Sequence, residues 1–205
     1  MEIRTFVLGD LDTNCYVIVG ADRHAIIIDP ADDAEIITEY VRANHLVLES
    51  VVLTHAHFDH MLAAREVSET FGAALYVGQD DAEAMTDPVR NLSAVFSMCA
   101  PVRIDNYKTL REGDVLRAGD LTLTVMETPG HTPGCICLRC NDVLFAGDTL
   151  FEGSIGRLDF PGGNVEDMRR SLHRLISLPA DVVVYPGHGP STTIGAEIAH
   201  NPYLR

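Results

Sequence analysis

The chain contains no tryptophan, and aromatic residues fill only 6% of its 205 positions. Its core must therefore be aliphatic, and the 46% hydrophobic fraction is enough for one. Cations are also scarce. Against 30 Asp and Glu there are 15 Lys and Arg, giving a formal net charge of -15. Such a surface repels phosphate backbones and anionic lipid, which argues against nucleic acid and membranes as partners. No apolar run reaches the roughly 20 residues of a transmembrane helix. The first one stops at Gly9-Asp10, too short for a signal peptide, so a cytoplasmic location is expected. The 5 cysteines are an odd number in a chain too large to need staples, and reduced thiols are expected. There is no Gly-x-Ser-x-Gly elbow to supply a serine nucleophile. What the chain does have is 9 histidines, several of them close to aspartates.

No linker, low-complexity tract or repeat interrupts the sequence, which reads as one domain over residues 1–205. Short β-prone runs alternate with helical patterns. Ile3 to Leu8, Cys15 to Val19 and Ala25 to Ile28 read as strands, the last ending at Asp29-Pro30. Asp32 or Asp33 is expected to cap a helix through about His45. Val51 to Leu53 reads as a buried strand, Met61 to Phe71 as a helix, Ala74 to Val77 as a strand and Asp80 to Met85 as a short helix. Asp87 to Pro101 has no clear period and is expected to form a mobile flap or irregular helix. Leu121 to Met126, Cys135 to Leu138 and Val143 to Phe145 read as further strands. Asn164 is a helix cap, Val182 to Tyr185 a last buried strand, and Thr193 to His200 a short final helix. The class is mixed α and β, with helices outside a pair of sheets.

The chemistry is concentrated in His55-x-His57-x-Asp59-His60, directly after a buried strand. Strand carboxyl ends are where α/β proteins place their sites. Imidazoles two residues apart can converge on one ion, while Asp59 and His60 offer an oxygen and a nitrogen to a second. Imidazole with carboxylate suits zinc, iron or manganese. Three later residues sit beside glycine at strand ends: His131 in Pro-Gly-His-Thr-Pro-Gly, Asp148 in Ala-Gly-Asp-Thr, and His188 between Gly187 and Gly189. Together with the first cluster they complete two ligand sets, with Asp148 available to bridge two cations.

This pattern resembles the metallo-β-lactamase superfamily and, within it, the short glyoxalase II-like hydrolases. The segment from Leu150 to Gly163, Tyr185 to Gly195, and Asn201-Pro202-Tyr203-Leu204 carry the closer likeness. The resemblance implies an αββα sandwich with its metal centre between the edges of two sheets. It assigns His55, His57 and His131 to metal one, Asp59, His60 and His188 to metal two, and Asp148 as the bridge. Two divalent ions, zinc first among them, would ionise a bridging water, and Asp59 could accept a hydrogen bond from the resulting hydroxide. A thioester such as S-lactoylglutathione suits such a site, because a thiolate leaves without a strong general acid. Full-length glyoxalase II holds glutathione with a carboxyl-terminal helical domain. Only Thr193 to Arg205 remains here in its place, so any glutathione site must be reduced or lost.

Two other classes fit part of the pattern. A persulfide dioxygenase would share this fold and bind one iron through His55, His131 and Asp148. A non-catalytic metal-binding module would not need two adjoining open sites. β-Lactamase activity is disfavoured by the missing secretion signal. The expected partner is a small-molecule thioester, and the expected state a monomer or small homo-oligomer. Cys135, Cys137 and Cys140 lack a fourth zinc ligand and read as core residues. Asp29 is either a support for the ligands or a turn residue. Arg157 and Asp159 read as a loop-bracing ion pair, and Phe96, Met98 and Phe160 as either pocket or core. His24, His45, His173 and His200 are expected at the surface.

Overall fold

Apolar runs with no polar alternation fold as strands covered on both faces. Tyr16, Ile18, Ile26 and Ile28 enter one core while their neighbours Cys15, Val17, Ala25 and Ile27 enter another. In the computed structural model, which describes residues 1–204, the first sheet lines up six strands in chain order. They are β1 (Glu2–Leu8), β2 (Thr13–Val19), β3 (His24–Ile28), β4 (Val47–Val52), β5 (Ala74–Gly78) and β6 (Lys108–Leu110). The β1–β2 and β2–β3 pairings are antiparallel and the rest parallel. Helices α1 (Ala34–Ala43) and α2 (Ala64–Phe71) are the crossovers between the parallel strands β3, β4 and β5.

The second sheet begins with β7 (Val115–Ala118), β8 (Leu121–Glu127), β9 (Ile136–Cys140) and β10 (Val143–Gly147). A small hairpin follows, β11 (Leu150–Phe151) with β12 (Ser154–Ile155), and then α3 (Val165–Leu175). The sheet is completed by β13 (Val183–Pro186) and β14 (Thr192–Thr193), and α4 (Ile194–His200) follows them. Its order is β14-β13-β10-β9-β8-β7, and only the β10–β13 pair is parallel.

Three apolar layers hold these parts together. Tyr16, Ile26, Leu123, Leu138 and Phe145 fill the space between the sheets. Ile37, Val41, Ala64 and Val67 pack the first two helices onto Val17, Ile27 and Val51. Met168, Leu172, Leu175 and Ile194 cover Cys137, Leu144 and Val184 on the far side. The result is the expected four-layer αββα sandwich.

Several local expectations change. Asp33 makes no side-chain cap, because its φ of 49° places it in the left-handed region instead of the extended backbone that a cap requires. Asn164 does cap α3, accepting from the Asp167 N–H at 3.0 Å. The helix expected from Met61 starts at Ala64, preceded by a 3-10 turn at Phe58–His60, and Gln79–Met85 is also 3-10. The 87–101 segment is irregular but not loose around its buried Asn91. The Asn91 amide donates to the Ala84 and Val102 carbonyls, both at 3.0 Å, and the Asn91 carbonyl accepts from the Phe58 N–H at 2.9 Å. Cys137 and Cys140 join different apolar layers, so the cysteine string cannot converge on an ion. His45, His173 and His200 are exposed, while His24 is half-buried and pairs with Glu49 at 2.7 Å.

Phe145 is fully buried between Tyr16 and Tyr185, with ring centroids 5.3 and 5.4 Å away. Phe145→Ala should cost about 3–5 kcal/mol of stability. The urea midpoint checks this, and a shift below about 1 kcal/mol would contradict the central-core assignment.

Candidate metal centre and active site

Six strands deliver loops to one edge of the sandwich. From the first sheet, β3 ends at Asp29, β4 runs into residues 53–60, and β5 leads to Asp81. From the second, β8 leads to His131, β10 to Asp148 and β13 to His188. All seven residues expected as ligands meet there. Their donor atoms fall into three overlapping groups, each within 4.8 Å: His55, His57, His131; Asp59, His60, His188; and His55, His60, Asp148.

The tautomers are set from outside the centre. His131 Nδ1 donates to the Arg157 carbonyl at 2.7 Å, His188 Nδ1 to the Leu11 carbonyl at 3.0 Å, and His60 Nδ1 to Asp29 Oδ2 at 3.0 Å. Each of these rings therefore turns Nε2 inward, the second-layer arrangement that orients imidazole toward a metal. His57 Nδ1 lies 3.1 Å from His55 Nε2 and 2.9 Å from His131 Nε2. Burial, and then the neighbouring rings, push His55 far below its usual range and His57 down to about 3, so both are neutral. With His131 Nδ1 holding its proton for Arg157, ring nitrogens of His55, His57 and His131 converge within 4.8 Å of one another. Donors bound at about 2.0–2.1 Å to a tetrahedral ion would sit about 3.3 Å apart, close to the spacing observed.

The second half of the centre is short of positive charge. Burial opposes protonation of His60, but Asp59, Asp148 and Asp29 overcome it and push the ring up to about 10. Burial also opposes charge on Asp59, and the His60 and His188 rings outweigh it, holding the carboxyl below its usual range. His60 Nε2 and Asp148 Oδ1 are buried with no hydrogen-bond partner, 3.4 Å apart. Asp148 Oδ2 lies 3.5 Å from His131 and 3.7 Å from His188. Asp148 thus spans both imidazole sets. Orphaned inward atoms, unprotonated nitrogens and crowded carboxylates make a donor set that fits divalent cations.

Bracing comes largely from residues that the sequence did not single out. Asp29 is a support, not merely a turn residue: it accepts from the Thr54 N–H at 2.7 Å and the Thr54 hydroxyl at 2.6 Å as well as from His60. Asn14 on β2 donates to the Pro186 and Gly189 carbonyls on either side of His188, and Thr13 donates to Asp59 at 3.2 Å. Asp81 is buried against the loops of His57 and His131. The only sequence signal for Asp81 was its place just beyond a strand end. Asn14 and Thr13 gave none, because both act on residues distant in sequence, Asn14 across the gap between the sheets.

A partly apolar wall flanks the centre. Phe160 lies 5.8 Å from both the His57 and Phe96 rings, and Phe96 lies 6.1 Å from Phe58. Phe96 and Phe160 therefore belong to the rim of the site, whereas Met98 lines a small crevice beside Asp59. Arg157 stacks over Phe160 and forms a two-pronged pair with Asp159 at 2.9 and 2.7 Å, as expected of a loop brace. Next to His57 is a cavity of about 350 Å³, lined in part by Arg90, Thr132, Pro133 and Pro161.

The metallo-beta-lactamase superfamily profile matches residues 8–188, which include all of these side chains. The chain belongs to the metallo-β-lactamase superfamily. It is 35% identical to the probable metallo-hydrolase YqgX of Bacillus subtilis, over 100% of this chain and 98% of that one. It is 32% identical to the hydroxyacylglutathione hydrolase GloC of Haemophilus influenzae, with the same coverage. Among solved structures, the BLEG-1 B3 metallo-beta-lactamase superposes with a TM-score of 0.93 at 36% identity, covering 99% of both chains. TTHA1623 in a di-iron-bound form gives 0.89 at 32%, covering 98% of this chain and 100% of the other. ETHE1 from Myxococcus xanthus gives 0.79 at 32%, covering 98% and 84%. Family, relatives and donor cluster together support a metal-dependent hydrolase.

Gly187 leaves no room for a side chain: a Cβ there would lie 2.2 Å from Asp148 Oδ1 and 2.7 Å from His60 Cε1. Gly187→Ala should lower the number of divalent ions bound per chain while the far-UV spectrum stays unchanged. Metal analysis after gel filtration measures this, and an unchanged count would mean that Asp148 and His60 are not held as described.

Proposed function

We propose that the protein is a dinuclear metallohydrolase that cleaves a small thioester of the S-lactoylglutathione type. The observation that carries this reading is the pair of adjoining donor sets spanned by Asp148. His55, His57 and His131 would hold one ion, and Asp59, His60 and His188 the other. Zinc is the first expectation, and the di-iron form of TTHA1623 supports iron as an alternative. When bound, the two ions would supply an ionised water as nucleophile and a Lewis acid for the scissile carbonyl. Asp59, held by Thr13, would orient the nucleophile. Phe96 and Phe160 would shield the reacting carbonyl from bulk water and pack against the apolar part of the substrate. Asp29 and Asp81 are occupied by loop donors, so neither is free to protonate a leaving group. That favours a leaving group needing no proton, which a thiolate is and an amide nitrogen is not. The name of the GloC relative points the same way.

A second reading has its own support. A mononuclear iron centre on His55, His131 and Asp148 would suit a persulfide dioxygenase, and the likeness to ETHE1 gives it weight. Metal analysis of protein purified without chelator, paired with activity assays, separates the two. Two metals per chain with S-lactoylglutathione hydrolysis is the expected result. One iron per chain with oxygen uptake on glutathione persulfide would overturn the proposal. So would cleavage of a chromogenic cephalosporin faster than of the thioester.

His60→Ala removes a donor from one set and leaves His55, His57 and His131 in place. It should bind one metal fewer and lose most thioester hydrolysis. Full activity in this variant would rule out a two-metal reaction. Dialysis against a strong chelator should abolish turnover in the unmodified chain, and zinc should restore it.

A further inference from the structure

Asp81 is 3% exposed, and its hydrogen bonds go to Ala56, Thr132 and Gly134 and to none of the seven donor side chains. Its Oδ2 accepts from the Ala56 N–H at 2.9 Å and from the Thr132 hydroxyl at 2.7 Å, and its Oδ1 accepts from the Gly134 N–H at 2.8 Å. Ala56 lies between His55 and His57, and Thr132 follows His131. One carboxylate therefore joins the β4 loop of the first sheet to the β8 loop of the second. Each ring of the His55–His57–His131 set is one residue from an Asp81 contact, and no member of the Asp59–His60–His188 set is. That second set has braces of its own in Asp29, Thr13 and the Leu11 carbonyl.

The joint is tightly packed. A Cβ on Gly134 would lie 2.2 Å from the Asp81 nitrogen, and one on Gly78 would lie 2.0 Å from the Gly134 carbonyl oxygen. Backbone meets backbone here, so the segments carrying Asp81 and Gly134 are held in close contact. Cys135 closes the other side, its sulfur accepting from the Thr132 N–H at 3.3 Å.

We propose that Asp81 is a positioning residue for one half of the metal centre, setting His55 and His57 against His131 and so fixing the affinity of that set alone. The proposal rests on the two-metal reading. A carboxylate can receive three donors at once, whereas an amide in its place has one acceptor oxygen and turns N–H groups toward buried N–H and O–H partners.

Zinc competition against a chromophoric chelator, on metal-free protein, tests this. The unmodified chain should bind two ions. Asp81→Asn should bind one of them about 10- to 100-fold more weakly, the usual effect of losing such a support, and the other unchanged. In a His188→Ala background, which leaves only the His55 set complete, Asp81→Asn should weaken the remaining ion. In a His131→Ala background it should change the remaining ion less than about twofold. Thr132→Val should act in the same direction with smaller effect, while Thr132→Ser keeps the hydroxyl and should bind like the unmodified chain. If Asp81→Asn does not fold, the two Thr132 variants decide. Equal weakening of both ions, no weakening of either, or Thr132→Ser behaving like Thr132→Val would overturn the proposal. Fewer than two ions on the unmodified chain would instead refute the two-metal reading.

Discussion

One edge of this sandwich crowds imidazole nitrogens and carboxylates into a small buried cluster. Two imidazole nitrogens approach within about 3 Å of a third, and three carboxylates surround the buried His60. In water such a group of side chains would separate or take up protons. Here burial denies a second proton to His55 and His57, and packing prevents the separation. A cation resolves both conflicts at once. Much of the remaining architecture serves to keep that conflict in place.

The sandwich does so by keeping the donors on loops and the fixtures on strands. Each donor loop leaves a strand with at least one face in an apolar layer, so the loop's anchor cannot shift without disturbing that layer. Carbonyl and carboxylate acceptors outside the ring of donors then set the imidazole tautomers. The hydrolytic chemistry proposed for the site needs little else from the protein: a shielded carbonyl, an oriented nucleophile and a leaving group that departs unprotonated.

How much of this could be read in the sequence depends on distance along the chain. Four donors lie within His55 to His60, and the other three stand beside glycine at strand ends, so a pattern of residue types exposed them. The buried central strands and the Asn164 cap were legible for the same reason, since their signals are local. The braces were not. Asn14 acts on the loop of His188, and Asp81 on that of His131, through contacts that exist only once the two sheets have met. Asp33 looked like a helix cap, but its backbone conformation, set by the turn after Pro30, denied it the role. The 87–101 segment has no periodicity because a single side chain, Asn91, orders it in place of a repeating pattern.

The donors are divided between the halves of the molecule. His55, His57, Asp59 and His60 arrive with the first sheet, and His131, Asp148 and His188 with the second. Each of the two proposed ligand sets draws two members from one sheet and one from the other, so on the two-metal reading neither half would hold either ion on its own. On that reading, a complete set of donors would exist only once the halves have docked. An ion held there would act as a rivet across the seam, and the sheets would not slide past one another without first ejecting it.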